Sequence, residues 1–264
     1  MTTPRTAATL TRLLRHANET GRLLDAVPLL TNGSRFVPAF QPAELTKAPR
    51  HVLVSDGLAR PQVICVPSFL AGSGAHQFVR LATAFAPRRR VSGVVLPGFD
   101  QGSPVPATWD AALDALAMAV RSAAGGEPFV LVGHSIGGVV AWSLAARLAA
   151  EQVAGVVLVD TLVPDSDRQD VMLEWALGSV LDRDPGGLVV TDDSLLAMGA
   201  YLRIFQEWQR ERPPVPVLQV RADTSPWPAW DIADTTTPVV GDHFSVLEEH
   251  AGMTAKVIEE WLSR

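Results

Sequence analysis

The stretch Phe129-Val130-Leu131-Val132-Gly133-His134-Ser135-Ile136-Gly137-Gly138 runs an apolar, β-prone segment into the pattern G-x-S-x-G, and a helix-like segment, residues 139–150, follows. A chain that passes from strand to helix within so few residues brings the two backbones close together. Glycine at 133 and 137 removes the Cβ atoms that would collide there. Such a turn lifts the Ser135 hydroxyl above the sheet edge. It also aims the Ile136 N–H and the positive end of the following helix at the same spot. G-x-S-x-G alone is a weak signal. Set between this strand and this helix it reads as a nucleophile elbow. The competing reading is an ordinary Gly-rich βα turn in a parallel sheet.

The rest of the chain fits a sheet of that kind. Residues 52–54, 63–66, 91–96 and 153–159 read as strands, the last ending in Asp160. Residues 77–85 and 109–124 read as helices, the second with Asp110 near its start and Gly125-Gly126 beyond its end. Continuous apolar strands separated by helices imply an α/β fold: a mostly parallel central sheet covered on both faces. Residues 164–212 break the alternation. Helical stretches at 171–181 and 195–210 precede the next strand, 215–220, and a helical insertion at this point is expected to act as a lid. A Pro/Trp-rich loop, 225–238, then leads through Val239-Val240 and Gly241-Asp242-His243-Phe244 to a closing helix at 251–262.

Ahead of the sheet, residues 9–20 form an amphipathic helix with Leu10, Leu13, Leu14 and Ala17 on one face. Gly21 breaks it. Leu23, Leu24, Val27, Leu29 and Leu30 begin a second apolar face, interrupted by Pro28. Two such helices cannot bury their own faces and must dock on the domain or on a second copy of themselves. The chain thus divides into a helical segment, 1–40, and an α/β domain, 41–264.

Composition narrows the function classes. A chain of 264 residues, 47% hydrophobic and 19% charged, is globular. A net charge of −6, with Arg88-Arg89-Arg90 the one basic block, argues against nucleic-acid binding. The single cysteine, Cys65, lies in an apolar run, so no disulfide framework is possible and a reducing cytoplasmic setting is expected. The N-terminus has no signal-peptide core, and no apolar run is long enough to cross a bilayer. No metal-ligand spacing, G-x-G-x-x-G or P-loop is present.

A serine hydroxyl needs a base within hydrogen-bond reach, and the base needs a group that fixes its tautomer. In α/β-hydrolases the chain order is serine, acid, histidine. Of the six histidines, His16, His51, His76, His134, His243 and His250, those following the serine at long range are His243 and His250. His250 falls in a charged segment, whereas His243 comes straight after a short apolar strand. His134 adjoins the serine but is turned away by the elbow and reads as packing. Asp160 and Asp223 both end strands on the edge that carries Ser135, so either carboxylate is a candidate acid; Asp165, Asp167 and Asp242 are weaker ones. Ile136 supplies one oxyanion N–H, and the loop Pro67 to Gly74, at Phe69, supplies the second.

At these residues the chain resembles the thioesterase domain that ends a modular type I polyketide synthase. The resemblance covers nearly the whole length. It rests on the leading helices with Gly21-Arg22, Phe36-Val37-Pro38-Ala39-Phe40, Ser73-Gly74-Ala75-His76-Gln77-Phe78, Leu96-Pro97-Gly98-Phe99, Gly133-His134-Ser135, Gly155 to Asp160, Gly241-Asp242-His243-Phe244-Ser245 and Glu248-Glu249-His250-Ala251. It implies the α/β-hydrolase fold, a Ser135-Asp160-His243 triad and an acyl-enzyme mechanism. The acyl chain would arrive on the phosphopantetheine of an upstream acyl carrier protein and leave as a macrolactone or a free acid. No cofactor of its own is implied. It further implies a homodimer through the leading helices and a substrate channel touching Trp208, Trp227, Trp230 and Tyr201. The 225–238 loop is shorter than in macrolide-forming members, which leaves the release mode open. The rival readings are a discrete editing thioesterase using Asp223, which would lack the leading helices; a generic esterase, which would carry an HGGG-type loop; and a non-catalytic binding module, which would have lost Ser135 or His243.

Overall fold

The computed structural model describes residues 9–100, 102–162 and 169–264. The strands are β1 (Ala39–Phe40), β2 (His51–Ser55), β3 (Ala59–Val66), β4 (Arg89–Val94), β5 (Val105–Pro106), β6 (Phe129–His134), β7 (Val153–Val159), β8 (Val217–Ala222) and β9 (Thr235–Val239). Seven of them form one sheet in the order β2-β4-β3-β6-β7-β8-β9, and β1 and β5 pair separately. β2 runs antiparallel to β4, and every other pair in the large sheet is parallel. β6 shows why the central strands read as unbroken apolar runs. Phe129 and Leu131 enter the core on one face and Val130 and Val132 the core on the other, as a two-residue period requires of a strand covered twice.

Helices α3 (Val79–Phe85) and α8 (Ala251–Leu262) cover one face; α4 (Trp109–Ala124) and α5 (Ile136–Arg147) cover the other. The Thr108 hydroxyl starts α4 by accepting the Ala111 N–H, and Gly125 ends it at φ +59°. α5 is apolar almost all round because it is buried almost all round.

Between β7 and β8 the chain inserts α6 (Gln169–Arg183) and α7 (Asp192–Ile204). The leading helices, α1 (Leu10–Glu19) and α2 (Leu23–Gly33), lie on that insertion. Leu14, Leu23, Ala26 and Leu30 share one buried cluster with Leu177, Leu181, Leu195 and Met198. Polar contacts fix the arrangement. The Thr11 N–H reaches the Asp192 carboxylate at 2.8 Å, Asn18 donates to Asp182 at 2.8 Å, and Arg15 donates to the Leu181 carbonyl at 3.2 Å and to Asp184. α2 and α7 cross so closely at Gly199 that any Cβ there would strike the Leu30 carbonyl. The buried faces of the leading helices are therefore covered within the chain itself.

Besides shifts of a few residues at other element ends, three features differ from the sequence expectation. Pro28 does not interrupt α2: it is exposed, and burial of Leu23, Ala26 and Leu30 holds the helix through it. α7 ends at Ile204 and gives way to a short 3-10 turn, Phe205–Glu207, where a helix to 210 was expected. Part of the expected 225–238 loop is β9, whose threonines alternate along an edge where Pro238 is tolerated.

Leu30→Ala should cost about 3 kcal/mol of stability in urea titrations, as expected for a fully buried leucine. Leu13→Ala, at a side chain 45% exposed, should change it by no more than about 0.5 kcal/mol.

Candidate active site

Ser135 sits between β6 and α5 at φ +57°, ψ −137°, a conformation that costs a non-glycine residue roughly 1–3 kcal/mol. Its N–H donates to the Val159 carbonyl at 3.1 Å. A Cβ on Gly137 would lie 2.6 Å from the Val66 carbonyl oxygen, and one on Gly133 would strike the Gly137 carbonyl, so the two glycines permit the crossing. The Ser135 hydroxyl is buried and makes no hydrogen bond within the protein.

The sheet register brings the other groups to the same edge. His134 pairs with Val159, so Ser135 and Asp160 leave neighbouring strands side by side. Asp160, at φ +39°, is the second non-glycine residue with positive φ among the described residues. Its N–H donates to the Val220 carbonyl at 2.7 Å, and its Oδ1 accepts the Ala222 N–H at 3.1 Å. Its Oδ2 lies 2.7 Å from Nδ1 of His243. The loop after β9 delivers His243. Asp242 accepts the N–H groups of Phe244 and Ser245, each at 2.9 Å, and Asp223 accepts that of Gly241 at 2.9 Å. His134 Nε2 lies 2.7 Å from the His243 carbonyl, which can only accept, so Nε2 carries the proton.

These contacts set the protonation states. Burial raises the Asp160 pKa, but the hydrogen bond and charge of His243 and the bonds from Ala222 and Ser225 outweigh it, and the net shift is downward. An ionised Asp160 only accepts. Nδ1 of His243 is then the donor, so in the neutral ring Nε2 is the nitrogen with the free lone pair. Burial, reinforced by the charge of His243, pushes the His134 pKa down to about 3, so His134 is neutral at pH 7.

Ser135, Ile136 and Phe69 together border a cavity of about 280 Å³ whose walls include Leu70, Leu162, Met172, Leu202 and Phe205, with Val27 and Thr31 of α2. Ile136 is the first residue of α5, so its N–H has no acceptor within the helix. The Phe69 ring stacks on Tyr201 with centroids 5.6 Å apart, which anchors the loop below the cavity. A second cavity, about 390 Å³, has His76, Gln77, Arg80, His134, Arg183 and Phe244 in its walls.

The structure separates the two acid candidates: Asp160 meets His243, whereas Asp223 is engaged by Gly241 and Asp242 caps its own turn. Asp165 and Asp167 lie outside the described residues. None of the four expected channel rings borders the cavity beside Ser135. Tyr201 is wholly buried, Trp208 donates to the Ser143 hydroxyl at 3.1 Å, and Trp230 packs on Trp142 with centroids 5.4 Å apart. Trp227 packs with Leu162 and Met172. Trp208 and Trp230 thus pack on α5, and Trp227 packs against the inserted helix α6. The sequence reading missed Trp175 of α6, whose ring lies 5.0 Å from that of His243. A tryptophan on an amphipathic helix carries no mark that sets it apart from core packing.

The fold and this edge define a serine hydrolase of the α/β-hydrolase class. Residues 61–191 match the thioesterase-domain family, and this part of the chain is a thioesterase domain. It is 34% identical over 95% of its length to the polyketide synthase GfsE of Streptomyces halstedii, and 34% identical over 94% to the erythronolide synthase EryA3 of Saccharopolyspora erythraea. The chain spans 7% and 8% of the lengths of these curated relatives. Among solved structures, the type II thioesterase BorB from the borrelidin biosynthetic cluster superposes with a TM-score of 0.60 at 22% identity, over 81% of this chain and 96% of that one, which establishes the shared fold. The chain is thus a serine thioesterase.

Asp160→Asn should slow fluorophosphonate labelling of the serine by at least about a hundredfold, the scale of a lost triad orienter. Asp223→Asn should slow it far less. The reversed order would contradict the assignment. For His134, whose folded pKa lies below that of the unfolded chain, the unfolded state binds more protons between about pH 6.5 and 3. Stability should therefore fall as pH falls through that window. Thermal melts of His134→Gln, which keeps a donor for the His243 carbonyl, should show a shallower fall.

Proposed function

We propose that this thioesterase takes an acyl chain from a carrier-protein thioester onto Ser135 and releases it as the product of a polyketide assembly line. The observation that carries the reading is the buried Asp160–His243 hydrogen bond at the sheet edge where the elbow presents Ser135. Nε2 of His243 removes the hydroxyl proton as Ser135 Oγ attacks the thioester carbonyl. The Ile136 and Phe69 N–H groups hold the oxyanion. The C–S bond then breaks, and the thiolate leaves with the proton from His243, giving the Ser135 ester and a free carrier thiol. The same base activates the nucleophile that releases the ester, either a hydroxyl of the chain itself or water.

The apolar cavity beside Ser135 suits the acyl chain. The cavity with Arg80 and Arg183 in its walls suits the phosphodiester of a phosphopantetheine arm. The insertion α6–α7 serves as the lid, and the leading helices form part of the acyl wall through Val27 and Thr31. The outward faces of those helices, where Leu13 is 45% and Leu29 50% exposed, together with Phe36, 90% exposed in the 3-10 turn that follows α2, pair two copies. Cys65, buried with its thiol pKa raised by burial, suits a reducing cytoplasm.

Offered a long hydroxyacyl thioester, the wild type should release a product whose mass equals the free acid or the acid less one water, and Ser135→Ala should release neither. Turnover by Ser135→Ala would end the reading. Sedimentation should give a dimer for the wild type and a monomer for the Leu13→Asp, Leu29→Asp double variant; a monomeric wild type would remove the pairing.

A further inference from the structure

We propose that Trp175 is a positioning residue that holds the His243 imidazole in line with Ser135. The inference rests on His243 being the base. The imidazole has ring neighbours on three sources: His134 at the end of β6, 4.5 Å away; Phe244, its own neighbour in the chain, at 5.2 Å; and Trp175 of the inserted helix α6, at 5.0 Å and 79°. Asp160 holds one edge of the ring through Nδ1, but a single hydrogen bond still lets the ring rock about the Cβ–Cγ bond. Edge-to-face packing against an indole removes that freedom.

Trp175 is itself held. It meets Trp227 at 5.5 Å and 71° and stacks on Phe244 at 5.8 Å and 29°. Its helix is tied to α1 through Arg15 and Asn18. Met172, Leu173 and Ala176 of the same helix wall the acyl cavity, and Trp175 does not. One inserted helix thus divides two tasks, lining the acyl site and bracing the base. Loss of the brace should lower the chemical rate constant and leave binding alone, because misorientation of a reacting group acts on the barrier. It should also open the Asp160–His243 bond to water.

The test is single-turnover acylation of the full chain by a simple acyl thioester, read with the downfield proton resonance of His243 Nδ1–H. Trp175→Ala should lower the acylation rate constant by about tenfold, the scale of one aromatic packing contact. The half-saturating thioester concentration should hold, and the downfield resonance should exchange away. Trp175→Phe should restore most of the rate and the resonance. If thermal melts show that the alanine variant does not fold, Trp175→Leu, closer in volume, carries the same expectation. An unchanged rate and resonance would overturn the proposal. So would a raised half-saturating concentration at unchanged rate, which would make Trp175 a substrate contact. His243→Ala separates the two levels: acylation that survives it removes the base itself, whereas acylation that vanishes there and persists in Trp175→Leu removes the brace alone.

Discussion

A carboxylate buried away from water is tolerable when its oxygens are hydrogen-bonded and a compensating group stands beside it. Asp160 meets that requirement by joining three parts of the sheet edge. Its backbone N–H and Oδ1 bind the end of β8, its own position is set by β7, and Oδ2 binds the histidine delivered after β9. The backbone there is driven to positive φ, as it is at Ser135 one strand away. Two strained residues on adjacent strands are stable because the parallel register between β6, β7 and β8 over-determines them. The placing of Ser135 beside Asp160 is thus a consequence of strand order, and the loop after β9 adds His243 to an edge already set.

The insertion and the leading helices complete the site from the other side. A helix pair between β7 and β8 would expose apolar surface alone, and so would the two helices at the start of the chain. Each covers the other, through Leu14, Leu23 and Leu30 against Leu177, Leu195 and Met198. The acyl cavity lies where these helices meet the elbow, which is why Val27 and Thr31, more than a hundred residues before Ser135, border it. Residues 9–40 are therefore continuous with the core of the domain, and Leu13 and Leu29 remain exposed on their outward side.

Much of this was legible in the sequence. The elbow was readable because glycine spacing and the change of period from two to 3.6 are local properties. The same holds for α4 and α8, whose ends carry their own signals. Asp160 and Asp223 could not be separated by pattern, since both end strands on one edge; the choice depends on which carboxylate the Gly241 turn occupies. The four aromatic rings assigned to the channel show the limit clearly. Loop and lid membership points Tyr201, Trp208, Trp227 and Trp230 at the channel, but where a side chain turns is set by neighbours far away in the chain. Trp175 was overlooked for the same reason. β9 was hidden because an edge strand of threonines with a proline lacks the apolar run of a buried strand, and α2 passed its proline because tertiary burial outweighs local propensity.

The central claim is that Ser135 carries the acyl group between two nucleophiles. Intact-mass measurement after rapid mixing with an acyl thioester, followed by peptide mapping of the adduct, tests it most directly. One added acyl group is expected, on the peptide that contains Ser135, forming before product is released. Product formation with no adduct at any time, or an adduct mapped to another residue, would contradict it.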